Sequence, residues 1–271
     1  MLTLAQDARY AVRMLRKQPS FTMVAVLMLA LGIGANATIF SWVNSVLINP
    51  LPAAQRQNEL LTLAYTYREE VLPSFSYLEY RDIRDGARTL SGIAARDELS
   101  VGFTANREAE HVWADIVTGN FFSVLEVPAW RGRVLHQSDD VVGASPVLVI
   151  SHDYWVARFG GSDAVIGREV QVNAQPFTIV GVAPPGFHGG SSGLKLDIWI
   201  PVAMQSLVMP TDRLAVRGSR WLFPIARKAP GVSDEQVRAE LGALLESMRR
   251  SHPGYDELTL TALRLADAPT G

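Results

Sequence analysis

The chain has 271 residues, 48% hydrophobic and 19% charged, with a net charge of −2 and no cysteine. That length allows one large domain or two small ones beyond the first ~50 residues. The charge balance gives no case for nucleic-acid binding, and the lack of cysteine excludes disulfides, thiolate metal sites and a cysteine nucleophile without assigning a compartment.

The charge is unevenly placed. Residues 1–18 carry Arg9, Arg13, Arg16 and Lys17 against Asp7 alone, and the remainder is net acidic. Within residues 3–17, Leu4, Ala8, Ala11, Val12 and Leu15 fall at helical spacing between basic side chains. This predicts a basic helix over residues 1–20 lying at a membrane surface, with ordinary packing on protein as the alternative. Residues 21–46 then run without a charged side chain. As a helix of ~26 residues rising ~1.5 Å each, they extend roughly 39 Å, enough to cross a ~30 Å bilayer core. Ala30, Gly34, Ala37, Thr38, Ser41 and Ser45 recur at three- and four-residue steps and predict a face for close packing against another membrane helix. The basic flank is N-terminal, so the positive-inside rule puts the N-terminus in the cytoplasm and residues beyond about 47 outside.

Pro50 and Pro52 end the helix, and residues 47–57 read as a linker into a domain over 58–271. Residues 59–67 predict a strand. Ser74 or Ser76 caps a helix to about Arg88. Residues 112–117 predict a strand, 119–125 a short helix and 128–134 a loop. Residues 146–150 form a compact apolar strand, and 152–159 a helix closed by Gly160-Gly161. Residues 170–173 and 177–182 frame Ala174-Gln175 as a hairpin turn. Strands follow at 197–201 and 222–227. Ser233 caps a helix to about Arg250, with Gln236 three residues on completing a capping box. Residues 258–265 predict a last strand. The stretch between Arg88 and Val112 carries no assignment. The class is α+β, with short strands and few helices.

Three patterns imitate catalytic or processing motifs. Gly32-Ile33-Gly34-Ala35-Asn36-Ala37 matches G-x-G-x-x-A, which in a dinucleotide site follows a strand, opens a helix and precedes an acidic residue ~20 positions on. Here the preceding apolar run is too long for a first strand, and Glu59 opens the next strand rather than ending it. Ala35-Asn36-Ala37 resembles a signal-peptidase site, yet the apolar run continues past the cut. Gly189-Gly190-Ser191-Ser192-Gly193 fits G-x-S-x-G, whose nucleophile elbow needs a strand, a tight turn and a helix. Prolines precede Ser191 and a strand-like run follows it, so a glycine-rich loop is the simpler reading. His111, His136, His152, His188 and His252 are scattered. His136 near Asp139-Asp140, and His152 beside Asp153, read as surface or capping groups. Glu69-Glu70 and Arg249-Arg250 read as solvated faces. No constellation points to catalysis, a cofactor or a metal, so a non-enzymatic chain is expected.

Several segments together resemble a known family. Residues 6–52, QDARYAVRMLRKQPSFTMVAVLMLALGIGANATIFSWVNSVLINPLP, are similar to the N-terminus of MacB/FtsX-type ABC transporter permeases of the acidobacterial duplicated type. VTGNFFSVLEVPAWRGRVL (117–135), PVLVISHDYWVARFGGSDAVIGREVQVNAQPFTIVGVAPPGF (146–187) and WLFPIARKAPGVSDEQVRAEL (221–241) resemble the MacB-like periplasmic core domain, in that order.

The resemblance implies a bacterial inner-membrane protein with one transmembrane helix before a large periplasmic domain and three after it. The domain would combine a porter-like α+β part with a β-rich insertion, here about 146–216. It implies mechanotransmission: a cytoplasmic ABC ATPase dimerises on ATP, the membrane helices shift, and the periplasmic domains push substrate or act on a partner. A second permease copy, a periplasmic adaptor and the lipid bilayer are the further implied partners. The basic N-terminal helix would lie near the ATPase. The chain has no phosphate loop, so ATP belongs to a separate subunit, and no second apolar run of ~18 residues precedes Gly271. A fragment of a longer permease is therefore expected. The alternative function is a membrane-anchored extracytoplasmic binding or scaffold module without transport activity.

Overall fold

The computed structural model describes residues 13, 16–43, 51, 53–189 and 194–265. The chain divides into two compact units, Met1–Ile48 and Asn49–Gly271.

The first unit contains helix α1, Pro19–Val43, with no acidic residue in its first turn and no basic residue in its last. Proline suits a first helical position, where its missing N–H has no intrahelical partner to lose. The hydroxyl of Thr22 donates to the carbonyl of Gln18 at 2.9 Å. Pro19–Ala37 is long and apolar enough to cross a membrane, and Met28 and Leu31 are 73% and 76% exposed. The helix thus starts two residues before the predicted 21–46 span. Residues 44–46 lie outside the described residues, as does the predicted basic helix over 1–20 apart from residues 13 and 16–20, the last two of which belong to α1.

The second unit is built on one mixed sheet. Its strands are β1 (Leu60–Tyr67), β2 (Glu70–Leu72), β3 (Leu90–Ala105), β4 (Glu108–Val117), β5 (Arg131–Gly132), β6 (Val147–Ile150), β7 (Glu169–Val172), β8 (Gln175–Val182), β9 (Ile198–Pro201), β10 (Phe223–Lys228) and β11 (Thr259–Arg264). The helices are α2 (Tyr77–Gly86), α3 (Phe121–Leu125), α4 (His152–Phe159), α5 (Gln205–Val208) and α6 (Asp234–Ser251). The strand order is β11-β1-β10-β3-β4-β9-β6-β8-β5, with β2 beside β1 and β7 bridging β3 and β8. Pairing is antiparallel except for β4 with β9 and β6 with β8.

Period-two alternation separates two cores. Leu61, Leu63 and Tyr65 of β1, Ile93 and Ala95 of β3, and Ile198 and Ile200 of β9 face one side, where they meet Tyr80 and Ile83 of α2, Tyr154 and Trp155 of α4, and Val237, Leu241, Leu245 and Met248 of α6. Ala94, Val117, Val149, Trp199 and Ile225 face the other, against Phe121, Phe122, Val124 and Leu125 of α3 and the loop residues Leu51 and Phe187. Central β6 and β9 are buried along their whole length, so both read as unbroken apolar runs. Each fully buried aliphatic side chain contributes about 1.5–3 kcal/mol.

Local signals act as expected at the helix starts. Ser76 accepts from the Glu79 N–H at 3.2 Å while Glu79 accepts from the Ser76 N–H at 2.7 Å. Ser233 and Gln236 make the same reciprocal box at 3.3 and 2.8 Å. Two assignments change. The hairpin between β7 and β8 turns on Asn173-Ala174, at φ 49° and 64°, rather than on Ala174-Gln175. The unassigned stretch forms β3, at 16 residues the longest strand described, paired from Arg96–Val117 to Ala105–Glu108 with β4. The strands are therefore not all short. Residues 128–134 contain β5, too brief to show in the sequence. Arg249 is not a solvated group: its guanidinium donates to the carbonyls of Tyr255 (3.0 Å) and Leu258 and ties α6 to the start of β11.

Candidate functional site

The motif-like stretches do not assemble a reactive site. Gly32 through Ala37 lie inside the continuous helix α1, which supplies neither the strand nor the turn of a dinucleotide site. The same helix runs through Ala35-Asn36-Ala37 to Val43. Ser191, with residues 190–193, lies outside the described residues, and the next element after it is strand β9 rather than a helix. Among the described residues no three His, Asp or Glu side chains converge as a metal set. The His136 N–H donates to Asp139 at 2.8 Å, a capping contact, and His152 packs edge-on against Trp130 and Trp155. Of the small residues expected to form a packing face, Ala30, Gly34 and Ala37 fall at helical spacing on α1. Nothing is described of the side chains of Thr38 and Ser41, and Ser45 lies outside the described residues.

The most organised polar structure sits where the chain enters the sheet. Leu51 is buried among α3 and the start of β1. The Gln57 side-chain amide donates to the Leu51 carbonyl at 2.7 Å and accepts from the Leu51 N–H at 3.4 Å, holding that residue's backbone on both sides. The Gln55 N–H donates to the Leu125 carbonyl at 3.2 Å. Arg56 takes a left-handed conformation, φ 47°, which closes the turn into β1.

Beneath this turn lies Arg227 of β10, 4% exposed. It shares its sheet face with Ile225, so strand alternation delivers a guanidinium into a core. Its Nε donates to the Val124 carbonyl at 2.7 Å, Nη2 to the Gln55 carbonyl at 2.9 Å, and Nη1 to the Arg56 carbonyl at 3.2 Å. Glu59 and Glu126 stand at 3.4 and 3.8 Å and balance the charge. Arg56 in turn pairs with both carboxylates, and its hydrogen bonds hold the Glu126 carboxyl below the usual carboxylate range. A planar fork with five donors suits this convergence of carbonyls, and an ammonium does not. The sequence carried a faint signal: an arginine on the buried face of the strand FPIARK. Its partners, at 55–59 and 124–126, are far from it in the chain.

The chain leaves the sheet next to where it enters. β11 runs antiparallel to β1, and Arg264 lies opposite Leu61. An open cleft of about 350 Å³ adjoins this pair, lined by Leu61, Asp234, Arg238 and Arg264 among others. Entry and exit thus share one end of the sheet, and the entry is bolted to β10 and α3.

Known proteins show the same architecture. The chain is similar to the crystal structure of the periplasmic region of MacB from Actinobacillus actinomycetemcomitans, with a TM-score of 0.58 and 15% identity over 77% of this chain and 90% of that one. The extracellular domain of the noncanonic ABC-type transporter YknZ from Gram-positive bacteria matches at 0.53 and 17% identity, covering 75% and 99%. A domain of a putative permease from Porphyromonas gingivalis matches at 0.59 and 17%, covering 79% and 92%. In sequence, 130 residues are 25% identical to the probable export ATP-binding/permease protein MacB of Pseudomonas entomophila (strain L48), which is 48% of this chain but only 18% of that protein. The family model of the MacB-like periplasmic core domain matches residues 22–244. Spanning most of the chain and agreeing with the shared sheet architecture, that match makes this protein a member of the MacB-like periplasmic core domain family.

Proposed function

We propose that the chain is the permease component of a MacB-like ABC transporter, in which α1 crosses the bacterial inner membrane and the sheet domain stands outside it. Residues 1–20 lie at the cytoplasmic face beside a separate ABC ATPase, which alone binds ATP. Residues 146–216 form the β-rich insertion, and a second permease copy completes the assembly, with a periplasmic adaptor beyond it. The chain couples ATP hydrolysis elsewhere to movement of its outer domain and performs no chemistry itself.

The adjacency of Leu61 and Arg264 carries this reading. A domain that is pushed from a membrane must receive both chain connections on its near side, and its entry segment must be stiff enough to pass force. The Arg227 bolt supplies that stiffness. The relatives' printed names, an export permease and ABC-type transporter domains, agree.

The chain has no native cysteine, so single-cysteine reporters test the topology directly. Val142, 81% exposed, is a suitable outer position, and Ala8 a suitable inner one. In intact spheroplasts a membrane-impermeant maleimide should label Val142→Cys and spare Ala8→Cys until the membrane is opened. Equal labelling of both, or the reverse pattern, overturns the arrangement.

A further inference from the structure

Strand β1 shows which edge of the sheet is open. Thr62 pairs with Ile225 of β10 and with Leu263 of β11, so those two strands lie on opposite sides of β1. Thr66 pairs with Val71 of β2 and with Thr259 of β11, which puts β2 on the β10 side. The far side of β11 therefore has no strand beside it among the described residues. Two other strands have a single partner, β2 with three residues and β5 with two, and both are too short to offer a ladder. β11 has six residues.

That outer edge is undefended. Edge strands are usually blunted by proline, lysine, a bulge or a covering loop. Thr259–Arg264 contains neither proline nor lysine. Its register with β1 runs without a shift from Arg264 opposite Leu61 to Thr259 opposite Thr66. Among the described residues, no hydrogen bond from a turn or loop reaches its backbone. In a strand paired on one side only, every second residue turns its N–H and C=O outward. β11 thus presents a row of backbone donors and acceptors ready for another strand.

Charge at the two ends of the edge says what fits it. Arg264 is exposed at the C-terminal end, and Asp256 and Glu257 are exposed in the turn that leads into the N-terminal end. Glu257 shares its charge with Arg68 at 3.3 Å. The edge is therefore basic at one end and acidic at the other. A second β11 laid antiparallel brings each Arg264 toward the acids of the other copy, whereas a parallel one sets like charges side by side. The edge is complementary to itself only in the antiparallel sense, which is the sense a twofold axis produces.

We propose that a second copy of this chain joins at the free edge of β11, the two strands pairing antiparallel about a twofold axis through Thr261. The alternation of wide and narrow pairs requires such an axis to pass through a residue that faces its own counterpart. With Thr261 there, Leu260 faces Ala262 of the other copy and Thr259 faces Leu263. Arg264 then faces Leu258, beside the Asp256-Glu257 turn. Paired residues share a face, so Leu260 of both copies stays on the helix-covered side and two sheets become one. The inference rests on the two-copy permease reading and gives that assembly a contact. So short a ladder does not hold free domains together, but it suffices between copies confined to one membrane.

Single cysteines in the full chain test the proposal. Facing residues of such a ladder stand about 4.5–5.5 Å apart at Cα, within disulfide range. In membranes, mild oxidation should turn Thr261→Cys into a covalent dimer and leave the exposed Val142→Cys monomeric. Arg264→Glu and Asp256→Arg, each added to Thr261→Cys, should lower the yield roughly threefold, and the two together should restore it. A Thr261→Cys chain that stays monomeric, or that links to a different protein, overturns the proposal. Light scattering on the purified wild-type chain in detergent separates this failure from that of the two-copy reading. A dimer whose Thr261→Cys form does not cross-link refutes the β11 contact alone, whereas a monomer refutes the second copy as well.

Discussion

Arg227 shows how one side chain gives a surface segment the rigidity of the core. Three carbonyls from two separate segments converge on its guanidinium, and two glutamates neutralise it. Arg227→Ala would leave those carbonyls without their donor in a nearly closed site, with the two glutamates held by Arg56 alone. Losing one member of such a buried set typically costs about 3–5 kcal/mol. We expect urea unfolding followed by tryptophan fluorescence to show a loss in that range. Arg227→Lys should recover less than half, because a single ammonium cannot span three acceptors in a plane. Full recovery by lysine would mean that charge alone matters at this position. Gly181 is a second residue set by its surroundings: a Cβ there would sit 1.8 Å from the Arg133 carbonyl oxygen, so only glycine lets β5 approach β8.

Among the elements, the hairpins explain where sequence reading succeeded and where it stopped. Three two-residue turns, Arg68-Glu69, Asn106-Arg107 and Asn173-Ala174, have both central residues at positive φ. This is the turn that matches strand twist, usually marked by Asn-Gly or Asp-Gly. None of the three contains glycine, so the usual mark is missing. The β3–β4 hairpin therefore carries no turn mark in the sequence. Within that stretch Arg96 is buried, where β4 brings Asp115 to it from 19 residues away, while Asp97 and Glu98 are half-buried. The helices were legible because their signals are local: a serine cap with its partner three residues on, and apolar side chains every three or four. Ala174 gives the test at this scale. It is exposed and left-handed, while Asn173 carries the hydrogen bonds to Gly102 and Val208. Ala174→Gly should relieve the strain and raise stability by about 0.5–1 kcal/mol, read as a higher melting temperature. A lower melting temperature would show that the turn is not strained.

At the scale of the whole molecule, the buried acids set the response to pH. Burial holds Asp115 near 7 and Asp97 near 6, both above an unfolded value of about 4. A carboxyl raised in this way adds stability that is complete below its unfolded value and is lost as pH rises through its folded one. Asp85, Asp139, Asp153 and Asp234 act oppositely: their partners hold them below the usual range, so their contribution fades only in stronger acid. The urea midpoint of the chain should therefore peak near pH 4–5 and decline toward pH 7.5, by an amount on the order of 3 kcal/mol. In the Asp115→Asn chain the decline should shrink by more than half. A midpoint that rises steadily from pH 5 to 7.5 would contradict the burial of these charges.

What the sequence determined by itself is what depends on near neighbours. The uncharged run that became α1, the capping box at Ser233, the apolar strands β6 and β9 and the family resemblance could all be read along the chain, because each rests on composition or on spacing of a few residues. Tertiary structure alone decided the rest. It chose β9 as the parallel neighbour of β4, brought exit beside entry at Leu61 and Arg264, and placed Arg227 under residues 55 and 56. Each of these joins positions more than eighty residues apart. Such pairings are selected by how whole faces of the sheet bury together, and no local pattern encodes that choice.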